Sequence, residues 1–259
     1  MHPILCTFGP VTLYTYGAML VLAFVLAAGG AVRAARRLPA SQRALGPDEM
    51  LDFCCVSLLG GLIGGRLFYV GLHHELFLAS PLEILALWQG GLVWYGGLFG
   101  GLVAAWLYTR ARRLSLRGAL DQVVPFLALG HAIGRVGCFL NGCCYGLPTP
   151  RWYGVRFPGH AQPLVPTQLL ESAGLFVLAV ILRGLQRQPW VAGRGRVVGA
   201  YLVGYAMLRV MMEGLRGDQP RGWMGLTLQQ LVSLGLFAIG LVLLLRGQVP
   251  DTFQSGKGA

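Results

Sequence analysis

Charged side chains that could bind a phosphate lie inside apolar stretches of this 259-residue chain. Arg66, Arg135 and Arg209 stand in long hydrophobic runs, and so do Glu171 and Glu213. A guanidinium presents planar N–H donors that fit phosphate oxygens two at a time. Charged residues in such surroundings usually pair or mark a ligand site. These residues therefore predict a phosphate-binding cavity lined by arginines.

The segment GRVGCFLNGCCYG, residues 134–146, combines one of these arginines with three cysteines. Cys138, Cys143 and Cys144 have no C-x-x-C spacing, and a closed zinc site needs four nitrogen or sulfur ligands. The one nearby histidine, His131, comes two helical turns before Cys138. We therefore expect neither a metal nor a cofactor. A disulfide that includes Cys138, or free thiols, both remain open.

The elements that must position these residues are helices in a membrane. Hydrophobic residues make up 55% of the chain and charged residues 12%, and the mean hydropathy is +0.60. Soluble domains carry about a quarter charged residues, so this balance is typical of a protein that crosses a membrane several times. The formal net charge is +11. No basic stripe with interleaved aromatic residues is present, which argues against nucleic-acid binding.

Seven apolar segments are long enough to cross a bilayer, which takes about 17–25 residues. We therefore predict an all-α integral membrane protein that forms a single domain over residues 1–259. We expect its largest outer loop, about 140–165, to be irregular because it is rich in proline, glycine and aromatic residues. The predicted spans are about 11–32, 51–72, 90–109, 119–139, 166–182, 197–215 and 227–245.

The basic residues predict the orientation of the chain. Fourteen of the 21 lie in the loops after the first, third and fifth spans and in the C-terminal tail. Cytoplasmic loops carry the excess of arginine and lysine. The N-terminus is therefore predicted outside and the C-terminus in the cytoplasm.

Helix geometry then predicts how deep the polar residues lie. At about 1.5 Å per residue, Arg66 and Arg135 lie roughly 25 Å above the cytoplasmic boundary and Arg209 roughly 18 Å. All three fall in the outer half of a core about 30 Å thick. Long arginines can also snorkel to an interface, but Gly134 and Gly137 beside Arg135 favour a packed interior. The descending spans add further polar residues in the same half: Tyr16, Tyr95, Gln168 and Glu171.

Three classes of function fit an arginine-lined cavity at the outer leaflet. The first is an enzyme that acts on a phospholipid, the second a channel or transporter, and the third a lipid-binding protein without chemistry. Transporter sites usually lie near the bilayer midplane, and the charged residues here lie on one side. An enzyme turns phospholipid over and a binding protein does not, which separates the first class from the third.

Seven short motifs follow one another along nearly the whole chain. They are YTYG (14–17), GGRLFYV (64–70), WQGGLVWYGGL (88–98), GRVGCFLNGCCYG (134–146), PTQLLES (166–172), LRVMMEGLR (208–216) and LTLQQL (226–231). In this order and spacing the chain resembles the prolipoprotein diacylglyceryl transferases.

The resemblance implies a reaction and its partners. A diacylglyceryl group would pass from phosphatidylglycerol to the lipobox cysteine thiol of a prelipoprotein, with formation of a thioether and release of glycerol phosphate. It also implies a multi-pass protein of the bacterial cytoplasmic (inner) membrane whose active site faces the outer leaflet. We expect a monomer. The alternative is a divergent paralogue that binds phospholipid or prelipoprotein without transferring anything.

The resemblance also implies site residues. Arg135 would handle the phosphate, Arg209 would position the phosphate or the leaving group, and Tyr95 would stand at the place of a catalytic histidine. Besides Tyr95, two positions depart from the family pattern: Cys138 stands where asparagine is expected and Cys143 where glutamate is expected. The implied substrate-binding residues are Tyr16, Arg66, Arg135, Asn141, Gly146, Gln168, Glu171, Glu213 and Arg216.

Overall fold

The structure, a computed structural model, describes residues 1–8, 11–39, 43–86, 90–188, 191, 193–216 and 225–246. Of the residues used above, Trp88 and Gln89 in the third motif and Lys257 in the C-terminal tail lie outside these ranges. The chain divides into two compact units, of which unit 1 comprises Met1–Ala31 with Leu120–Ala259 and unit 2 comprises Val32–Ala119.

Every predicted span coincides with a long helix. Six of these helices, among the described residues, are long and apolar enough to cross a membrane. The exception is α4, in which glycines, aromatic residues and Arg110 lower the mean hydropathy. The chain is thus a multi-pass helical membrane protein, and the seventh span stays a prediction. The long helices are α1 (Thr15–Arg37), α2 (Pro47–Leu72), α4 (Trp94–Ala111), α5 (Leu116–Asn141), α6 (Thr167–Gln186), α7 (Arg196–Gly214) and α8 (Leu228–Leu245).

One part of the chain departs from the predicted all-α fold. Strands β1 (Ile4–Phe8) and β2 (Val11–Tyr14) form an antiparallel hairpin, so the helix begins at Thr15 rather than near residue 11. An apolar run alone does not separate a short strand from the start of a helix. The His2 N–H donates to the carbonyl of Leu140 at 3.1 Å, which ties the hairpin to the end of α5.

In unit 2, α2 and α4 pack through glycines. A Cβ added to Gly64 would lie 2.8 Å from the Cα of Gly100, and one added to Gly100 would lie 2.8 Å from the Cα of Gly64. Gly60 and Gly96 lie one turn from these and also face the opposite backbone. Small residues four apart let membrane helices approach closely. The short α3 (His74–Ala79) and a 3-10 turn (Pro81–Leu85) connect the two helices.

In unit 1, Asp121 joins α5 to the start of α7. Its carboxylate accepts hydrogen bonds from the backbone N–H groups of Gly195 at 2.8 Å and Val198 at 2.9 Å. The first N–H groups of a helix have no partner within that helix. The carboxylate of Asp121 therefore supplies acceptors for two N–H groups at the start of α7. Gln186 on α6 donates to the carbonyls of Asp121 and Gln122 at 3.0 and 2.8 Å. Three helices are therefore fixed at the end far from Arg135.

Candidate active site

Four charged side chains from three helices of unit 1 form one buried group, here called the ion cluster. Arg135 lies on α5, Glu171 on α6, and Arg209 and Glu213 lie one turn apart on α7. Arg135 Nη2 donates to Glu171 Oε1 at 2.8 Å, and Arg209 Nη1 lies 3.5 Å from Glu171 Oε2. Arg209 Nη2 lies 2.9 Å from Glu213 Oε2. Two positive and two negative charges balance, which lowers the cost of placing them among apolar helices.

The four side chains differ in how close they come to the surface. Arg135 is 14% exposed and Arg209 8%, whereas Glu171 is 3% and Glu213 0% exposed. An incoming group would therefore meet the guanidiniums first. This order favours an orienting role for the two glutamates over the direct substrate contact expected from the sequence.

Hydrogen-bonding capacity remains unused in the ion cluster. Among the described residues, Arg135 Nε has no acceptor. Neither oxygen of Glu213 accepts a hydrogen bond from them, since its close ion pair with Arg209 has unfavourable angles. Buried polar atoms normally find partners. Arg135, the more exposed of the two arginines in the ion cluster, thus has a buried N–H donor that a bound phosphate oxygen would satisfy.

Beyond α5 the chain turns back on itself. Gly142 has a φ of 77° and its N–H donates to the carbonyl of Phe139 at 3.1 Å. The N–H of Cys143 donates to the carbonyl of Cys138 at 3.1 Å. These two bonds make a Schellman motif, in which a left-handed glycine ends the helix. The turn brings Cys143 back over Cys138.

Residues of the first turn of α6 hold the returning chain. The Gln168 amide Nε2 donates to the carbonyl of Cys143, and Thr167 Oγ1 donates to the carbonyl of Cys144 at 2.7 Å. Gly146 follows, and a Cβ there would lie 2.7 Å from the carbonyl oxygen of Leu215. The structure therefore gives Gly146 a packing role, because no side chain fits at this position.

The turn gathers the three cysteines into one group, here called the thiol cluster. The sulfur atoms of Cys138, Cys143 and Cys144 all lie within 4.8 Å of one another, and all are free thiols. The pKa of Cys144 lies well below its usual range, because the thiols of Cys138 and Cys143 donate to its sulfur and because Arg216 and Arg135 are near. The sequence left open a disulfide that includes Cys138, but it did not predict that all three thiols lie together.

Two further predicted residues lie next to these clusters. Tyr16 is 39% exposed, and a Cβ on Gly137 would lie 3.4 Å from its Cδ2 atom. Its hydroxyl lies within electrostatic range of Arg135 and of all three cysteines. The Asn141 side chain, at the end of α5, lies close enough to the Cys143 sulfur to interact with it. The structure thus brings both together with Arg135.

Sequence reasoning missed two aromatic neighbours of the ion cluster. The rings of His131 and Tyr205 lie 5.3 Å apart. Both interact electrostatically with Arg135 and Arg209. Each stands four residues before an arginine of the cluster, His131 before Arg135 and Tyr205 before Arg209. That spacing places them on the same helix face as the arginines, and it is the signal that could have found them.

Arg66 is occupied within unit 2. Its Nε donates to the carbonyl of Ile84 at 2.9 Å, and its Nη2 donates to the carbonyl of Glu83. Its Nη1 donates to the carbonyls of Gly90 and Gly91 at 2.8 and 3.1 Å. These contacts fix the connection that leads to α4. They favour a structural role over the substrate contact expected from the sequence.

Tyr95 is the second residue of α4 in unit 2. It is 38% exposed, and its ring meets that of Trp94 edge-on at 5.2 Å between centroids.

Comparison with known proteins decides the family. The family model for prolipoprotein diacylglyceryl transferase matches residues 3–246. The chain is 35% identical to the phosphatidylglycerol–prolipoprotein diacylglyceryl transferase of Clostridium tetani, over 93% of this chain and 96% of that protein. It is 36% identical to the enzyme of the same name from Xanthomonas euvesicatoria, over 94% and 90%, and 34% identical to the one from Synechococcus elongatus, over 97% and 91%.

The chain belongs to the prolipoprotein diacylglyceryl transferase family. Family membership confirms the resemblance drawn from the seven motifs. It also shows that the thiol cluster lies at positions where this chain departs from the expected family pattern. Two of the three residues that depart from the expected family pattern, Cys138 and Cys143, meet in that cluster, and Cys144 completes it.

Proposed function

We propose that this chain transfers the diacylglyceryl group of phosphatidylglycerol to the lipobox cysteine of a prelipoprotein. The observation that carries the proposal is the ion cluster, which presents an arginine with a free N–H donor inside a helical membrane protein of this family. The glycerol phosphate headgroup bears one negative charge and two non-bridging oxygens. Arg135 offers the fork that such oxygens fit.

The reaction requires a thiolate as nucleophile. Its sulfur attacks the terminal glyceryl carbon of the diacylglyceryl group, and the bond from that carbon to the phosphate oxygen breaks. The electron pair stays with the oxygen, so glycerol phosphate leaves with a second negative charge. A cationic group placed where this charge develops lowers the barrier.

In this reaction Arg135 and Arg209 stabilise the departing phosphate. Glu171 fixes both guanidiniums and Glu213 fixes Arg209, so the forks stay aligned while the charge on the phosphate grows. Tyr16 lies close enough to Arg135 and the thiol cluster to contact either substrate. Arg216 adds positive charge near Cys144. Tyr95 acts through its hydroxyl.

The proposal includes a location. Seven spans, an outer N-terminus and a cytoplasmic C-terminus would place the ion cluster in the outer half of the cytoplasmic membrane, where the headgroup of an outer-leaflet lipid lies. The distribution of arginines supports this orientation. The segment 148–166 would then face outward, where a prelipoprotein arrives.

The test is a transfer assay with purified protein, phosphatidylglycerol and a lipobox peptide, with the product identified by mass. We expect thioether product from the wild type. The variant Arg135→Lys keeps the charge and loses the fork, and we expect turnover to fall about 100-fold. The matched control is Arg151→Lys, an exposed position in the segment after α5.

Two results would count against the proposal. Binding of phosphatidylglycerol without any product would favour the paralogue that binds lipid and does no chemistry. Unchanged turnover in Arg135→Lys would remove the phosphate role of that residue.

A further inference from the structure

The thiol cluster has a geometry that transferase chemistry alone does not explain. Three sulfur atoms lie within 4.8 Å of one another. A tetrahedral zinc ion with Zn–S bonds of about 2.3 Å holds its sulfurs about 3.8 Å apart. A shift of about 1 Å or less per pair, within the reach of side-chain rotation, would therefore complete three of four ligand positions.

The surrounding chain holds this cluster in place from several sides. The Schellman turn at Gly142 sets Cys143 over Cys138. Side chains of α6 hold the carbonyls of both Cys143 and Cys144. The Asn141 side chain lies close enough to the sulfur of Cys143 to interact with it. Outer partners of this kind fix the orientation of metal ligands.

Cys144 adds a second, independent observation. Its φ is 63°, a left-handed conformation that residues with a Cβ rarely adopt. Such outliers collect at ligand clamps and active sites. Here the left-handed residue is a member of the thiol cluster.

The charges around the cluster suit thiolates. Three cysteine thiolates and a Zn²⁺ ion together carry one negative charge. Arg135 and Arg216 lie close enough to Cys144 to interact with it, so their positive charge offsets the excess. Metal binding requires deprotonated cysteines.

One side of the cluster remains open. Cys138 is 8% exposed, and Cys143 and Cys144 are half-buried. Zinc sites that do chemistry have three protein ligands and a fourth position for water or substrate. The described residues contain no other group of three metal-ligating side chains so arranged.

We propose that Cys138, Cys143 and Cys144 bind a zinc ion whose fourth position takes the sulfur of the incoming lipobox cysteine. The transfer part of this inference rests on the proposed function. A thiol that coordinates zinc gives up its proton. The proton leaves to solvent, the bound thiolate attacks the glyceryl carbon, and the electron pair of the broken C–O bond leaves with glycerol phosphate. The thioether product is a weaker ligand and dissociates from the ion.

This assignment removes the need for a general base. A free cysteine has a pKa of about 8.5 and reacts only as the thiolate. With Tyr95 in place of a histidine, the chain offers no ordinary base at that position. A zinc ion at the thiol cluster supplies the thiolate directly, beside the arginine that receives the phosphate charge.

Metal content of the full-length protein, purified in detergent, is the first test. We expect about one zinc ion per chain, as a three-cysteine site requires, and loss of at least tenfold in Cys138→Ser and in Cys144→Ser. Replacement by Co²⁺ should give the intense sulfur-to-metal absorption that reports thiolate ligands. The matched control changes Cys54 and Cys55, an adjacent pair in α2 outside the cluster, to serine and should retain the metal.

Several results would overturn the metal site. One is zinc content unchanged by the two cluster substitutions. Another is a disulfide between Cys138 and either neighbour in protein alkylated before extraction, because an oxidised pair cannot ligate zinc.

The second measurement is addition of a lipobox peptide to the Co²⁺ form. We expect the absorption to change with a peptide that contains the cysteine and to stay constant with its serine counterpart. Identical spectra with both peptides would overturn the open fourth position.

The third measurement compares transfer by zinc-loaded and zinc-free protein. We expect at least a 100-fold loss on removal of the metal and recovery on its return. Undiminished transfer without zinc would overturn the role in thiol activation. If zinc and peptide bind as expected and neither form transfers, the proposed function fails and the metal site stands.

Discussion

Glu171→Gln is the substitution that tests how the ion cluster works. The carboxylate bridges Arg135 at 2.8 Å and Arg209 at 3.5 Å while only 3% of its side chain is exposed. Glutamine keeps the shape and one acceptor but removes the charge. The cluster then holds two guanidiniums and a single carboxylate, that of Glu213, in a largely buried place.

The size of the effect follows from the bonds that change. A hydrogen bond to a charged group contributes about 1.5–3 kcal/mol, and each 1.4 kcal/mol or so of barrier corresponds to about a tenfold change in rate. If Glu171 aligns Arg135 for the departing phosphate, turnover should fall by about 10-fold to 150-fold. Thermal stability should fall as well, because one buried charge loses its partner.

The assay is initial-rate transfer from phosphatidylglycerol to a lipobox peptide, together with an unfolding curve in detergent. The control is Glu75→Gln, the same chemical change at an exposed glutamate of α3. Wild-type turnover in Glu171→Gln would refute the orienting role. A lower melting temperature with unchanged turnover would leave Glu171 as a purely structural ion-pair partner.

Three further outcomes are expected. Arg135→Ala should abolish transfer, and Tyr95→Phe should lower its rate by less. Transfer rates of the two variants measured in parallel test this, and equal losses would contradict the expected ranking of the two residues. Gly100→Ala should destabilise the α2–α4 packing by about 1–3 kcal/mol through overpacking, and the melting temperature should fall. An unchanged melting temperature would mean that the two helices do not meet at this glycine. Gly142→Ala should be destabilising because its φ of 77° favours glycine, and transfer should fall with it; an unchanged unfolding curve and rate would contradict the importance of the turn.

The sequence predicted the helices well and the site contacts only partly. Depth counting predicted that Arg135, Arg209 and Glu171 lie in the same half of the membrane, because helix rise is regular. It could not say that Glu171 bridges two arginines, since that depends on how three helices rotate about their axes. Family membership confirmed the resemblance, while the roles of the individual site residues remain predictions.

Other structural features that the sequence did not show have separate physical causes. Arg66 looked like its two counterparts because sequence shows the cost of a charge in an apolar run but not the carbonyls that satisfy it. The N-terminal hairpin was hidden in an apolar run that fits either a strand or a helix. The thiol cluster depends on a left-handed turn at Gly142, which cysteine spacing does not reveal.

The ion cluster also constrains how the chain enters the membrane during synthesis. A charged residue at the centre of an isolated inserting helix costs about 2.5–3.5 kcal/mol. Arg135 on α5 meets its partner only when Glu171 on α6 arrives, and Arg209 reaches Glu171 only after α7 is made. Each helix must therefore have enough apolar surface to stay in the membrane before the helix that carries its ion-pair partner is synthesised. We therefore expect the insertion of α5, α6 and α7 to be coupled, so that a substitution at Glu171 lowers the amount of inserted protein as well as its turnover.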